Sequence, residues 1–385
     1  MPIDYSTIRN DIVDQAGQAV SRANRLRDQR EIARQTLARW AGDLEELNRR
    51  VAEAAQLDSG LRCAVPYREN LMTHLPCPAV DDRTVIISAD GSQIVPNRHD
   101  PVEFALVNVG AFRYAHKTTP AERVESRLIM NEELFVNNSL AGEDYIALLR
   151  DVRERSLLVK MAKEDANVPV ITLTDGQLEL FHEPFETEEF KEHFNEYRDA
   201  LRDLARMGVI TAGYVDRPRA DLLVRLLELM HPDAEKKHPF SGVSDSDLLG
   251  RVLLPGERSA VFKLRSKTVV THYKDDLELY FFYLNVSTNE KPQLARVEIP
   301  RWVAQNTEML DNLHGNLVEQ SRILAQRPYP WALHRAHEIA VVSFQEKELL
   351  QEMIIAELGR HGILPGDYSN KQSAKNNSGQ KARYA

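Results

Sequence analysis

Two short segments place an acid and a glycine directly after an apolar run. Asp90-Gly91 follows the β-branched run at 85–89, and Asp175-Gly176 follows the apolar run at 168–173. Such runs are typical of buried strands, and acids at the ends of neighbouring strands converge at one rim of a sheet. Carboxylates there suit Mg²⁺ or Mn²⁺, and paired ions of this kind activate a water in phosphodiester cleavage. An Asp-Gly hairpin turn is the ordinary alternative for either pair.

Three further side chains are candidates because of where they stand along the chain. Glu154 lies on a predicted helix just before the second acidic pair, where it either points over the same rim or pairs with Arg150 at the surface. His337 follows His334 by three residues at the start of a predicted last helix, and a neutral imidazole binds metal or transfers protons. Tyr329 stands between two prolines, which fix the position of its hydroxyl. Packing or a surface position is the alternative role for each.

Other site chemistries have little support in the sequence. There is no phosphate-binding loop of the form G-x-x-x-x-G-K-S/T, no G-x-S-x-G elbow and no H-E-x-x-H helix. Ser92, which follows Asp90-Gly91, has no identifiable base for a nucleophilic role. Cys63 and Cys77 are the only cysteines, too few for a zinc site or a disulfide scaffold.

The composition is that of an ordinary soluble globular protein. The 385 residues are 43% hydrophobic and 28% charged, and the length allows one large or two modest domains. No apolar run approaches the roughly 20 residues that cross a bilayer, and the N-terminus has no secretory signal, so we expect a cytoplasmic protein without a membrane anchor. The net charge of -9 argues against a protein that coats nucleic acid, but it allows an enzyme whose acids bind metal and whose basic patch is local.

The apolar pattern predicts strands interleaved with helices. Besides the two acid-bearing strands, we expect strands at 104–112, 123–130, 209–215, 279–286 and 294–299, the last two forming a hairpin. We expect helices at 132–163, 185–207, 303–326 and 331–358, and another between Pro218 and Met230. The segments at 58–82 and 231–246 are predicted to be loops. This order indicates a mixed α/β body with an N-terminal helical extension.

The N-terminal segment predicts a long helix with a narrow apolar stripe. Its less polar residues recur at alternating spacings of four and three; they are Ala33, Leu37, Trp40, Leu44, Leu47, Val51 and Ala54. The stripe packs on the protein's own body or pairs with another subunit. We therefore divide the chain into a helical arm at 1–60, a catalytic domain at 61–365 and a disordered basic tail at 366–385.

Five short motifs follow one another along the chain. They are ADGSQ at 89–93, R-x-x-x-E at 150–154, LTDG at 173–176, ARVEIPRWV at 295–303 and RPYPWALHRAH at 327–337. This ordered set resembles the NurA nuclease family. The similarity runs from about residue 84 to about residue 347. Each motif is weak alone, and the ordered set is distinctive.

The resemblance implies an RNase H/PIWI-like fold, in which helices flank a mixed sheet. It implies a metal-dependent DNA nuclease that prefers Mn²⁺, or uses Mg²⁺, cleaves single-stranded DNA internally and resects DNA ends from 5′ to 3′. It also implies a homodimer that binds DNA and works with a HerA-type hexameric helicase or translocase in double-strand break repair or phage defence. In this sequence it assigns Asp90, Glu154 and Asp175 as metal-binding acids, His337 as a further metal ligand or proton-transfer residue, and Tyr329 as a site residue near the scissile phosphate.

Several alternatives stay open at this point. Gln177 stands where the family usually has the serine of a second D-G-S, which motivates a catalytically inactive NurA-like scaffold that binds DNA or the motor. Glu143 and Glu164 are alternatives to Glu154 as the helix acid. A third function is an RNase H-like enzyme that acts on RNA or on hybrids, because backbone contacts say little about the sugar.

Two groups of residues are candidates for contacts with other molecules. Five basic residues near the early strands are candidates for salt-sensitive contacts with DNA phosphates, namely Arg98, Arg113, Lys117, Arg123 and Arg127. The apolar stripe of the N-terminal helix and the aromatic cluster at 281–283 are candidates for subunit or motor contacts. Core packing is the competing interpretation for both apolar features.

Overall fold

The computed structural model describes residues 4–136, 138–165, 167–180, 187–231, 238–324 and 326–363. Its helices are α1 (Tyr5–Trp40), α2 (Leu44–Leu57), α3 (Glu143–Glu164), α4 (Glu188–Arg206), α5 (Leu222–Glu228), α6 (Asp245–Leu249), α7 (Lys267–His272), α8 (Arg301–Ala304), α9 (Thr307–Ile323), α10 (Trp331–Ala340) and α11 (Phe344–Arg360). The tail predicted at 366–385 lies outside the described residues.

The strands of the described chain vary widely in length. They are β1 (Cys63–Pro66), β2 (His74–Leu75), β3 (Val85–Ile94), β4 (Ala105–Ala115), β5 (Ala121–Ile129), β6 (Phe135–Val136), β7 (Ser139–Leu140), β8 (Val170–Asp175), β9 (Ile210–Asp216), β10 (Arg258–Ser259), β11 (Phe262–Arg265), β12 (Leu279–Asn285) and β13 (Leu294–Pro300). Short 3-10 turns lie at Asn131–Leu134 and Asp275–Leu277. None of the helices in the described ranges combines the length and apolar character that a bilayer crossing requires.

The chain forms two compact units. Leaving aside the gaps given above, the first comprises residues 4–80, 176–179 and 212–330, and the second comprises residues 81–175, 180–211 and 331–363. Each unit therefore combines segments that are distant in the sequence.

The first unit is built around antiparallel strands in the order β1, β11, β12, β13 and β9. The predicted hairpin is confirmed, because β12 pairs with β13 from Leu279↔Pro300 to Asn285↔Leu294. Every residue of both strands is buried. The aromatic cluster at 281–283 is 0% exposed and belongs to this core, so the hypothesis that it contacts a subunit or a motor is wrong.

The second unit contains a mixed sheet in the order β8, β3, β4 and β5. Strand β3 is parallel to β8 and antiparallel to β4, and β4 is antiparallel to β5. Helices α3 and α10 both pack on β3 and β4. Gly91 faces α3, and the next residue, Ser92, bonds to the end of α10, so the two helices cover opposite faces of the sheet. A mixed sheet flanked by helices confirms the predicted α/β class.

The N-terminal stripe does not lie on one continuous helix. Helix α1 ends at Trp40, and the Asp43 side chain caps α2 by accepting a hydrogen bond from the Glu46 amide at 3.1 Å. The stripe residues that are buried are Ala33, Leu37, Leu47 and Val51. Helix α1 packs on α5 and α6, and α2 packs on β1, all within the first unit. These four residues therefore pack on the protein's own body.

Several other predicted boundaries are wrong. The predicted loop at 58–82 contains β1 and β2, and the predicted helix at 132–163 begins only at Glu143, after a 3-10 turn and the two-stranded β6–β7 ribbon. The predicted helix at 303–326 is divided by the cap residue Asn306. The predicted helix at 331–358 is two helices, because Ser343 and Glu346 form a capping box that starts α11.

Candidate active site

Asp90 lies inside a strand rather than at its end. Strand β3 continues through Asp90-Gly91 to Ile94 and pairs with β4 along its whole length, with Asp90 opposite Gly110. Both sequence interpretations of this segment, a strand end and a hairpin turn, are therefore wrong. The Gly91 amide donates a hydrogen bond to Asp90 Oδ1 at 2.8 Å, which holds the carboxylate beside the backbone.

Asp90 is paired with His337, and the family resemblance assigns both residues to one site. The Nδ1 atom of His337 is 2.7 Å from Asp90 Oδ2. Since an ionised carboxylate only accepts, Nδ1 carries the proton and donates it. The Asp90 side chain is 17% exposed and the His337 side chain 61% exposed. The pair thus orients an imidazole that is mostly exposed to solvent.

Asp175 is the last residue of β8 and is exposed. The parallel pairing of β3 with β8 runs to Ala89↔Thr174, so Asp90 and Asp175 occupy the next positions on adjacent strands. Residues at matched positions of neighbouring strands point to the same face of a sheet. Asp90 and Asp175 therefore share the face that α10 covers.

Glu154 lies on the other face, on α3. It is 7% exposed, and it is so close to β3 that a Cβ atom on Gly91 would be 2.7 Å from Glu154 Oε1. The two alternative acids stand near the two ends of α3, where both Glu143 and Glu164 are exposed. Of the three glutamates, the structure thus places Glu154 beside the strand that carries Asp90.

The electrostatics of Glu154 are dominated by burial. Burial raises the pKa of the Glu154 carboxyl well above its ordinary value, and the negative charges of Asp151 and Asp90 raise it further. Arg150, whose Nε is 3.3 Å from Glu154 Oε1, and Arg155 act in the opposite direction. The sequence prediction missed Asp151, which bonds to Arg150 at 2.8 Å. The sequence does contain a signal for Asp151, because an acidic residue three positions before Glu154 lies about one helical turn away from it.

Arg155 connects α3 to the end of β8. It is 2% exposed and donates a hydrogen bond to Thr174 Oγ1, and its guanidinium lies 5.6 Å from the centre of the Tyr197 ring. Since Thr174 directly precedes Asp175, this contact fixes the segment from which Asp175 projects.

The four predicted metal ligands do not form one cluster. Among the residues that the structure describes, no group of three or more His, Cys, Asp or Glu side chains is arranged to hold a metal ion. The structure brings Asp90 and His337 into contact and places Asp175 next to Asp90 in register, with Glu154 behind the same strand. A single metal centre made of all four stays a prediction.

Tyr329 and Gln177 belong to the first unit. The Tyr329 ring packs edge-on against Tyr214, with centroids 5.5 Å apart and an interplanar angle of 88°. Its predicted role near the scissile phosphate stays a prediction. Gln177 Oε1 accepts a hydrogen bond from Arg296 Nη2 at 3.3 Å. The residue that departs from the family pattern is therefore engaged with a buried arginine of the first unit.

Most of the candidate DNA-binding residues are already in ion pairs. Arg113 binds Asp165 at 2.5 Å, Arg123 binds Glu164 at 2.9 Å, Arg127 binds Glu133 at 3.1 Å and Lys117 lies 3.6 Å from Asp82. Arg98 is exposed. Acids thus already bind these four residues, which weakens the case for them as phosphate contacts.

Comparison with known proteins places the chain in a family. The NurA domain model matches residues 84–342, more than half of the chain. Among solved structures, the NurA nuclease from Sulfolobus solfataricus is 14% identical, with a TM-score of 0.53, and the match covers 92% of this chain and 98% of that one. The catalytic domain of human Endonuclease V is 13% identical, with a TM-score of 0.33, over 80% of this chain and 98% of that one.

The two structural similarities differ in weight. At 14% identity the NurA nuclease supports the fold, and the lower score of Endonuclease V adds nothing to it. Comparison with the curated proteins gave no match. Because the domain model spans both acid-bearing strands and helix α10, the chain belongs to the NurA family.

Proposed function

We propose that the protein is a metal-dependent deoxyribonuclease whose site is organised around Asp90 and His337. The observation that carries the proposal is the 2.7 Å contact between these residues, next to Asp175 on the neighbouring strand. Membership of the NurA family supports a nuclease, a hydrolase of phosphodiester bonds. The finer activity that we infer is endonucleolytic cleavage of single-stranded DNA and 5′ to 3′ resection of DNA ends.

The donor types, carboxylate oxygens and one imidazole nitrogen, suit a divalent cation, but the described side chains are not gathered around a single point. Burial raises the pKa of Glu154, and the negative charges of Asp151 and Asp90 raise it further. A cation beside these acids would offset the repulsion between their charges. We assign Asp90, Asp175 and Glu154 as oxygen ligands and His337 as a further ligand, a donor set that suits Mn²⁺ at least as well as Mg²⁺. When bound, the ion supplies Lewis-acid stabilisation of charge on the phosphate oxygens.

The protein's own groups supply orientation and proton transfer. Asp90 accepts from His337 Nδ1 and so fixes the plane of the imidazole. This leaves Nε2 directed away from the pair on a side chain that is 61% exposed. A neutral Nε2 accepts a proton from an attacking water or, once protonated, returns it to the leaving oxygen. His337 is a metal ligand if its Nε2 faces the ion, and it is a proton-transfer residue if its Nε2 faces the attacking water.

The family also suggests how the enzyme is used. We infer a homodimer that binds single-stranded DNA and duplex ends and works with a HerA-type hexameric ATPase, in double-strand break repair or in phage defence. Family membership supports these partners. Co-purification of the two proteins, with and without DNA, tests the partnership independently of cleavage.

The direct test of the activity is degradation of linear DNA with Mn²⁺. The wild-type protein should cleave, and Asp90→Asn should lose most of the activity because the neutral amide cannot act as a carboxylate ligand. Asp82→Asn is the matched control, since this acid is 67% exposed and lies 3.6 Å from Lys117. Equal cleavage by wild type and Asp90→Asn would show that Asp90 does not belong to the active site.

The inactive scaffold is the second candidate, and the same assay separates it. Gln177 suggested the inactive scaffold, because it departs from the family pattern, and its side chain bonds to Arg296. It predicts no cleavage by the wild-type protein with any divalent ion, together with retained binding of DNA or the motor. Competition between DNA, RNA and hybrid substrates separates the deoxyribonuclease from an enzyme that acts on RNA.

A further inference from the structure

A row of three polar side chains crosses the sheet beneath the end of α10. Ser92 on β3 pairs in register with Asn108 on β4, and Asn108 pairs with Ser126 on β5. Side chains at matched positions of neighbouring strands share a face. The three residues are therefore adjacent, on the face that α10 covers.

This row bonds to the last residue of α10. The carbonyl of Ala340 accepts one hydrogen bond from Ser92 Oγ at 2.5 Å and another from Asn108 Nδ2 at 2.8 Å. Carbonyls in the last turn of a helix lack helical partners, so the two side chains satisfy a group that would otherwise be unpaired. Helix α10 is thereby attached to β3 and β4 at one point.

The orientation of the Asn108 amide follows from its two partners. Ala340 O can only accept, so the amide nitrogen must face it, and Asn108 Oδ1 then accepts from Ser126 Oγ at 2.5 Å. Asn108 is 7% exposed. A buried amide with both ends bonded has one orientation, which makes it a rigid support.

A glycine lets the helix reach this support. Gly110 lies two residues along β4 from Asn108, and a Cβ there would be 2.7 Å from Ala340 N and 2.9 Å from Ala336 O. Gly110 is also the residue paired with Asp90. Close approach at Gly110 and attachment at Ala340 together set the height of His337 above Asp90.

We propose that Asn108, assisted by Ser92, is a positioning residue that holds His337 against Asp90 by fixing the end of α10. The expected effect on cleavage rests on the proposed function, whereas the positioning of His337 by Asn108 does not. Removing the support should let α10 shift by a fraction of a turn and loosen the contact between His337 Nδ1 and Asp90. Misplacement on that scale is costly to catalysis.

The test combines kinetics with a direct view of the imidazole. Asn108→Ala should lower kcat by about 10- to 100-fold, as expected for residues that orient a site group, with little change in KM for DNA. The isosteric Asn108→Asp should be at least as impaired, because it places a carboxylate oxygen against the Ala340 carbonyl. Ser126→Ala removes only the outer bond of the row and should cost less than either.

A double-mutant cycle separates positioning from a general loss of structure. In a His337→Gln background, Asn108→Ala should cost less than about threefold, because the residue on which it acts is already gone. If Asn108→Ala costs the same factor in both backgrounds, or nothing in wild type, the proposal is wrong.

The second readout does not need activity. In nitrogen-15 NMR spectra the His337 Nδ1 proton should be protected from exchange in wild type and lose that protection in Asn108→Ala. If wild type does not cleave DNA but this change is seen, the proposed function fails and the positioning role stands. If wild type cleaves and the signal is unchanged in the variant, the positioning role fails alone.

Discussion

Gly91 and Glu154 are in direct contact across the interface of β3 with α3. The space of a Cβ on residue 91 is taken by Glu154 Oε1 at 2.7 Å and by Arg150 Cγ at 2.5 Å. The glycine in the Asp90-Gly91 pair is thus explained by close approach of a helix, since the strand runs straight through it. The Asp90 side chain lies on one face of β3, and the absence of a side chain at Gly91 leaves room for Glu154 on the other face. Two carboxylates therefore approach the same strand from opposite faces.

This contact predicts the effect of Gly91→Ala. The methyl group must displace the Arg150 and Glu154 side chains, and overpacking of this kind costs about 1–3 kcal/mol. We expect a lower midpoint of thermal unfolding and a loss of cleavage larger than the loss of stability explains, because Glu154 moves. Gly359→Ala on α11 is the control, since a Cβ there would meet no atom within 4 Å outside its own helical turn and the helix favours alanine. Unchanged stability and activity of Gly91→Ala would contradict the packing described.

The segment around Asp90 shows what the sequence could predict. The apolar run before Asp90 and the run before Asp175 identified both strands, because buried strands leave a local signal. The continuation of β3 beyond Gly91 was missed, because ten residues of pairing with β4 outweigh the local turn preference of Asp-Gly. The contact between Asp90 and His337 joins residues 247 positions apart. No local pattern contains it, and only the family resemblance suggested it.

The break between α10 and α11 had a local signal that was overlooked. Ser343 and Glu346 have the S-x-x-E spacing of a capping box, and the structure contains both of its hydrogen bonds. By contrast, the support of Ala340 by Asn108 depends on the pairing of three strands. Such a residue looks like any polar residue in a strand until the register is known.

Replacement of Glu154 should separate stability from activity. Burial and the nearby Asp151 and Asp90 disfavour its ionised form, so a neutral isostere removes an unfavourable charge. We expect Glu154→Gln to raise the free energy of unfolding of the metal-free protein by about 0.5–2 kcal/mol, a gain often found when functional strain is relieved, while cleavage is lost. Urea unfolding in EDTA measures the first and the linear-DNA assay the second.

The matched control for this replacement is Glu164→Gln, at the exposed end of α3. Its carboxylate binds Arg123 at the surface, where ion pairs contribute little. We expect neither stability nor cleavage to change much. Greater loss of cleavage in Glu164→Gln than in Glu154→Gln would transfer the role of helix acid to Glu164.

The imidazole of His337 should matter for rate rather than for stability. His337→Gln removes an exposed side chain that bonds to Asp90, so the free energy of unfolding should change by no more than about 0.5 kcal/mol. Loss of a proton-transfer group lowers kcat by about 100-fold or more. His334→Gln on the same helix is the control, because His334 is 44% exposed and lies 3.6 Å from Glu338. Comparable kcat values for the two variants would exclude His337 from the reaction.

His314 should make the stability of the protein depend on pH. It lies on α9, buried, with its Nε2 donating to the carbonyl of Gly256 at 2.8 Å. Burial lowers the pKa of His314 from 6.5 to about 4. As the pH falls through this range the unfolded chain binds the proton first, so stability is complete above about pH 6.5 and is lost as the pH approaches 4, by at most about 3 kcal/mol.

The variant that tests this dependence is His314→Gln, whose amide can still donate to Gly256 but does not titrate. We expect the wild-type midpoint of urea unfolding to fall more between pH 7.5 and pH 5 than the midpoint of the variant does. His99→Gln, at an exposed position, should retain the wild-type dependence. If His314→Gln and wild type lose stability in parallel between pH 7.5 and pH 5, His314 does not contribute to the acid sensitivity. The loss of stability would then arise from other titratable groups.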